Sequence, residues 1–450
     1  MDPFLILLVG VVIVTGAILW LRLDAFLALL LGALAVGVLV GGEDSVGERI
    51  ATAFGSTAGK IGILIALATV IGMCLLESGA ADRVVRSSLR LFGEKRAPLA
   101  FLLAGFTLGI PVFFDTVFYL MVPLTKAMAA RTGRNYALYV MAVAGGASIA
   151  HSLVPPTPGP LFVAEKLGVD IGLMMIAGLL IGGLSLTAGM AYAYWSNRRY
   201  PIPLRETKEA SLADLTAESQ RPDHELPSLG LSLIPIFLPV VLIGGQALVK
   251  HASFVPGPIA WVFTHLGEKN LALGLAAVVA LALLARRWRG DKKRLGSAVQ
   301  TALASGGLII LITAAGGAFG AMLQASGIGD RIASLAAAYS LPILPLAFFA
   351  TALIRTAQGS ATVAMFTAVG MMASLSNPAT LGFHPVYLAL AIGFGSKPFG
   401  WMNDSGFWVI TRMSGWTPGE TMRNFSTLIT IDALLGLVLT MIASRLFPLI

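Results

Sequence analysis

Several ionisable side chains stand inside stretches that are otherwise apolar. Asp115 lies in IPVFFDT (Ile110–Thr116), His151 in IAHSLVPPTPGPL (Ile149–Leu161), Arg355 in RTAQGSAT (Arg355–Thr362), and Lys397 and Asp404 in GSKPFGWMNDSG (Gly395–Gly406). A carboxylate or imidazole withdrawn from water is a candidate for proton exchange, which makes Asp115, His151 and Asp404 the proton-coupling candidates. A guanidinium can grip a carboxylate with two parallel hydrogen bonds, so Arg355, with Lys397, is a candidate for binding an anion. Asn403, Ser405, Gln358, Ser360 and Thr362 are the candidate partners for hydroxyl groups, with Ser148, Ser152 and Thr157 as lesser ones. Each has a structural alternative. Asp115 could cap a half-helix, Arg355 could pair with Asp115 or Asp404, and Lys397 and Asp404 could form an ion pair that holds their loop. A lone histidine is also more often structural than functional. No catalytic triad and no metal-ligand spacing is seen, and GSTAGK (Gly55–Lys60) lacks the full phosphate-loop pattern. The sequence therefore predicts neither an enzyme nor a cofactor.

The elements that must hold these residues belong to a membrane. The chain is 56% hydrophobic and 12% charged, and apolar windows of spanning length recur from end to end. The net charge of +8 is assigned to cytoplasmic loops and not to nucleic-acid binding. Cys74, the only cysteine, lies in an apolar run and is read as packing. Crossings are expected near Pro3–Leu21, Ala25–Val40, Ile61–Leu76, Tyr136–Leu167 (interrupted), Ile171–Trp195, Leu229–Val249, Leu271–Ala285, Gly307–Gln324, Pro385–Thr411 (interrupted) and Phe425–Ser444. Basic clusters at 83–96, 131–134, 198–199 and 286–294 then fall on one side, taken as cytoplasmic, with both termini outside.

An internal duplication organises the spans. SGAADR (Ser78–Arg83) recurs as SGIGDR (Ser326–Arg331), VAGGAS (Val143–Ser148) matches AIGFGS (Ala391–Ser396) at nearly the same offset, and Pro98 matches Pro345. An odd number of crossings in each half makes the halves inverted, a recurring transporter plan. The apolar stretch Pro98–Ala130 would be roughly 50 Å long as one helix, too long for a bilayer core of about 30 Å. It is also too short for two crossings and is basic at both ends, so a re-entrant hairpin is expected. Four prolines in Pro155–Pro160 and the polar run Gly395–Gly406 break two spans. Non-helical backbone at membrane depth needs protein, water or ligand to satisfy it, so the breaks imply a polar cavity, and half-helix N-termini there suit an anion.

The expected fold is an all-α polytopic membrane protein with two inverted-topology repeats, each holding a re-entrant helical hairpin and a broken transmembrane helix. Residues 1–195 form the first repeat (hairpin 98–130, broken helix 136–167). Residues 196–228 form a cytoplasmic linker, and 229–450 the second repeat (hairpin 342–375, broken helix 385–411).

GIPVFFDTVFYLMVPL (Gly109–Leu124), AHSLVPPTPGP (Ala150–Pro160) and GFGSKPFGWMNDSGFW (Gly393–Trp408) resemble the signature stretches of the gluconate permease family, the GntP type of proton symporter. The resemblance runs over nearly the whole chain. It implies proton-coupled uptake of gluconate or a related sugar acid across a bacterial inner membrane. Some members of the family carry D-serine or other small hydroxy acids. It places the site at Asp115 and its neighbours, at His151–Gly159 and at Lys397–Ser405. The wider ion transporter superfamily it resembles implies a homodimer among membrane lipids with a moving transport domain. Sodium coupling, a passive anion channel and an intramembrane enzyme are the rival readings, in falling order.

Overall fold

A computed structural model describes residues 1–205, 222–251, 256–338 and 342–449, and among them all regular structure is helical. The first half contains α1 (Pro3–Leu19), α2 (Ala25–Val40), α3 (Val46–Glu77), α4 (Ala80–Phe92), α5 (Ala97–Leu108), α6 (Phe114–Thr132), α7 (Tyr136–Leu153), α8 (Pro158–Lys166) and α9 (Ile171–Arg199). The second contains α10 (Leu229–His251), α11 (Gly257–Leu266), α12 (Lys269–Arg287), α13 (Lys292–Ala325), α14 (Ile328–Ala338), α15 (Ile343–Gln358), α16 (Ala361–Met372), α17 (Val386–Gly395), α18 (Ser405–Ser414) and α19 (Thr427–Leu446), besides one-turn pieces. Among the described residues, seven helical segments are long and apolar enough to cross a membrane.

Acidic and hydroxyl residues set where these apolar runs begin. The side chains of Asp2, Asp24, Ser45, Asp170, Glu268 and Asp291 each accept a bond from a backbone N–H in the first turn that follows, which satisfies donors the helix itself cannot. The caps at Ser45 and Asp291 explain a difference from the expected spans. Ile61–Leu76 and Gly307–Gln324 are only the apolar ends of α3 and α13, which run unbroken from Val46 and Lys292 because no proline intervenes.

Small residues let the long helices touch. Thr57 sits against Gly317 and Thr69 against Gly306, where an added Cβ would come within 2.1 and 2.6 Å of the two hydroxyl oxygens. The earlier residue of α3 meets the later residue of α13, so these corresponding helices run antiparallel, with the small side chains at the seam that membrane helices favour. Likewise Gly189 of α9 meets Asp432 of α19, while Ser196 donates to Asn424 Oδ1 (2.7 Å) just before α19. The halves also exchange partners. The second half's α12 packs on α3 and the first half's α2 on α13, while α8 packs on α16 and α18 on α6.

The segment 98–130 is two helices that double back. Along α5 and α7 the neighbours advance together, Phe101 beside Tyr139 (ring centroids 5.4 Å) and Gly109 beside Ala147. Along α6 they advance oppositely, Phe113 beside His151 (5.8 Å) and Thr132 beside Tyr139 (3.4 Å). Hence α5 and α6 are antiparallel and turn at 109–113.

The linker's described ends are clasped. Arg83 of α4 donates to the carbonyls of Pro227 (2.7 Å), Asp223 (2.5 Å) and Leu226 (3.2 Å). At the other end Arg205 holds both oxygens of Glu420, at 2.7 and 2.8 Å. Helix α9 continues to Arg199, so the linker's first residues are helical, and 206–221 lie outside the described residues.

Candidate functional site

Four places in the sequence meet at one cavity of about 410 Å³. The first hairpin tip contributes Phe113, Phe114, Asp115 and Thr116, and the end of α7 contributes Ser148 and His151. The second tip contributes Arg355, Ser360 and Thr362, and the second break contributes Lys397, Asp404 and Ser405. The volume falls within the range of about 300–1,000 Å³ usual for small-molecule sites.

Three helix N-termini reach the cavity, because α6, α16 and α18 each start at one of its lining segments. Ser360 caps α16 by accepting from Val363 N–H (3.3 Å), and Asp404 caps α18 by accepting from Gly406 N–H (3.0 Å). No side chain caps α6. Its first N–H groups are therefore available beside Asp115, at the positive end of the helix dipole.

Arg355 is 3% exposed, and its guanidinium is spent on the protein. Nη2 donates to Asp404 Oδ2 (2.5 Å), Nε to the Ser396 carbonyl (3.1 Å) and Nη1 to the Gly359 carbonyl. This is the structural pairing with Asp404, and it ties the second tip to the second break. Lys397 differs. Its Nζ donates to Ser148 Oγ (3.2 Å), and among the described residues no carboxylate lies within ion-pair distance of it. The loop-holding pair expected between Lys397 and Asp404 is thus not formed, since Arg355 takes the Asp404 carboxylate. Asp115 has no hydrogen-bond partner among the described residues and lines the same cavity. His151 and Phe113 pack their rings in a T-shaped pair, and His151 Nδ1 is buried without a partner.

The remaining candidates lie elsewhere. Asn403 Nδ2 donates to the carbonyls of Thr356 (2.8 Å) and Ala357 (3.3 Å) at the end of α15, so it holds the tip from behind. Gly359 makes this approach possible. It has φ of +83°, and a Cβ there would lie 2.1 Å from the Asn403 carbonyl oxygen. Gln358 is buried behind the cavity wall with both amide atoms unpaired. Ser152 is buried and unpaired outside the cavity, and Thr157 donates to the Val154 carbonyl (2.7 Å). The proline-rich break is non-helical only at 154–157, and Pro158 and Pro160 fall in the first turn of α8, where a missing N–H costs nothing. The break does not line the cavity. It is closed by protein, with Gly159 against Met365 of α16 and the Leu153 carbonyl against Gly178 of α9. Sequence reasoning also missed Ser305 and Ile309 of α13 and Phe425 and Ile429 at the start of α19, which complete the lining. Phe425 lies in a five-residue π-helical turn, Met422–Ser426, a distortion frequent at functional sites.

Membrane-length apolar helices around a charged cavity fit the class of permeases. The chain belongs to the GntP permease family, whose model matches residues 3–446. It is similar to an uncharacterized permease of Haemophilus influenzae, 38% identical with 92% of this chain and 86% of that one covered. It is also similar to the gluconate permease of Pseudomonas aeruginosa, 32% identical over 98% of each chain. In fold it resembles the YdaH transporter of Alcanivorax borkumensis, whose crystal structure is described as having an unusual topology. That likeness has a TM-score of 0.61 at 16% identity and covers 97% of this chain and 99% of that one. The chain is thus a transporter, not an enzyme, and a multi-pass protein whose relatives fit a bacterial inner membrane.

Proposed function

We propose that the protein imports gluconate, or a related small hydroxylated monocarboxylate, together with a proton. The observation that carries this reading is the charge balance of the cavity. Arg355 and Asp404 neutralise each other, which leaves Lys397 and Asp115. A monoanion arriving at Lys397 would leave one uncompensated negative charge in a weakly polarisable site, where such a charge is costly. A proton on Asp115 removes it. Substrate and proton therefore favour one another, which is the linkage a symporter needs.

The substrate carboxylate would rest on Lys397 and on N–H groups at the start of α6. Ser148, Ser305, Ser360, Thr362, Ser405 and Thr116 supply hydroxyls for the polyol, and the rings of Phe114 and Phe425 supply apolar surface for its carbon chain. His151, beside Phe113, is a second acceptor for the proton. The names of relatives such as the Pseudomonas gluconate permease support the choice of substrate.

Access alternates, in this reading, by motion of the hairpin-bearing parts 98–167 and 342–411 against the other spans. The antiparallel run of α3 with α13 and of α9 with α19 supports two halves of inverted sense. The assembly is a homodimer, as the resemblance to the wider superfamily implies.

Uptake of labelled gluconate into proteoliposomes under an imposed pH gradient tests the function. Accumulation above the external concentration is expected, unchanged when choline replaces sodium, and abolished when the gradient is collapsed. Accumulation that persists without the gradient and disappears with sodium would replace the proton by sodium. Flow that never exceeds equilibration would leave only a passive channel.

A further inference from the structure

We propose that Asp432, away from the cavity, is a second intramembrane proton site. Its side chain is 1% exposed and lies where α19 crosses α9 and α7. Oδ1 accepts from Gly189 N–H at 2.8 Å, and Oδ2 is buried with no partner. Gly189 makes the space for it, and Gly145 lies on its other side. A Cβ on Gly189 would lie 2.3 Å from Oδ1, and one on Gly145 of α7 would come to 3.7 Å from Oδ2.

Among the described residues no cation forms an ion pair with it, and Arg355 of α15, which packs on α19, is held by Asp404. The titratable groups on the elements packed against α19 are Tyr136, Tyr139 and His151 on α7, Tyr192, Tyr194, Arg198 and Arg199 on α9, Tyr387 on α17, Arg355 on α15 and Arg423 in the turn before α19, with Arg445 on α19 itself, and among the described residues none pairs with Asp432. A buried carboxylate with one backbone donor and no cation would be an uncompensated charge. Its unpartnered oxygen is instead the place for a proton. The position ties that proton to the transport cycle. Gly145 belongs to the part proposed to move, whereas Gly189 and Asp432 belong to the spans it moves against. The surroundings of Oδ2 therefore change when the cavity changes sides. Ile429, one turn before Asp432, and Ser148, one turn after Gly145, both line the cavity. This inference rests on the transport reading above, and it gives Asp115 and Asp432 one coupled proton each.

The test counts protons and gluconate together in proteoliposomes bearing wild type or Asp432→Asn. Asparagine keeps the acceptor for Gly189 but cannot release a proton. The variant is expected to move one proton fewer per gluconate. Its limiting accumulation should fall about tenfold at a gradient of one pH unit, with gluconate affinity unchanged. An unchanged proton count and accumulation would make Asp432 structural only. A second readout needs no substrate. The infrared spectrum of the purified protein should contain a protonated carboxyl C=O band at neutral pH that survives Asp115→Asn and is lost in Asp432→Asn. Should Asp432→Asn fail to assemble, Asp432→Glu serves, and the band must then shift. Absence of the band in wild type, or its indifference to residue 432, overturns the proposal. If wild type carries no gluconate at all, the functional reading fails while the infrared result still decides this one.

Discussion

Replacing Lys397 with methionine is expected to weaken gluconate binding by roughly 10- to 100-fold, the loss of one charge-assisted hydrogen bond in a site shielded from water. Methionine keeps most of the buried length of the side chain and removes only the charge. Lys397 is the cation this expectation singles out because Arg355 is already held by Asp404, Ser396 and Gly359. Substitution of Arg355 would disturb the second tip as well as any ligand, whereas Lys397 touches a single hydroxyl, that of Ser148. Thermal stabilisation of the purified variant across a gluconate titration measures the effect by mass action. Arginine at 397 restores charge with the wrong shape and should recover binding only in part. Wild-type affinity in the methionine variant would remove Lys397 from the substrate site.

Asp115→Asn is expected to abolish the pH dependence of gluconate binding. In the wild type, binding takes up a proton, so affinity must rise as pH falls and weaken as pH rises, approaching tenfold per pH unit where Asp115 is ionised before the substrate arrives. Asparagine resembles the protonated acid at every pH. The variant should therefore bind at high pH as well as the wild type binds at low pH, and its accumulation should fall about tenfold at a gradient of one pH unit, the share of one lost proton. Gluconate exchange across the membrane, which needs no proton release, should continue. If affinity in the variant still follows pH as it does in the wild type, the proton is held elsewhere in the cavity, and His151 is the next group to test.

What could be read from the sequence divides along a physical line. The doubling back of 98–130 followed from a length too great for one crossing and too small for two. The meeting of Asp115, Arg355, Lys397 and Asp404 followed from placing two tips and two breaks at one depth. Ser305 and Ile309 gave no signal because they face the cavity from the middle of an uninterrupted helix, and only the packing of α3 on α13 turns that face inward. Phe425 and Ile429 gave no signal because they are apolar residues at the start of an apolar span, and only the fold turns them to the cavity.

The polar residues near the breaks were harder to sort. A broken helix leaves unsatisfied backbone groups, and polar side chains nearby can serve that backbone as readily as a ligand. Asn403 and Thr157 do the former, bonding to the carbonyls of residues 356, 357 and 154. Gln358, the last residue of α15, is buried and does not line the cavity that Ser360 and Thr362 line. The proline cluster was read as a cavity wall, but protein packs against it instead, Met365 on Gly159 and Gly178 on Leu153. Which cation pairs with Asp404 depended on how residues 396–404 fold, and no local pattern encodes that.

The coupling of one anion to one proton in this cavity is tested most directly by calorimetry of gluconate binding to the purified protein in buffers of different ionisation enthalpy, which counts protons exchanged on binding. About one proton taken up per gluconate in the wild type, and none in Asp115→Asn, is the predicted result. Binding without proton uptake in the wild type would contradict it.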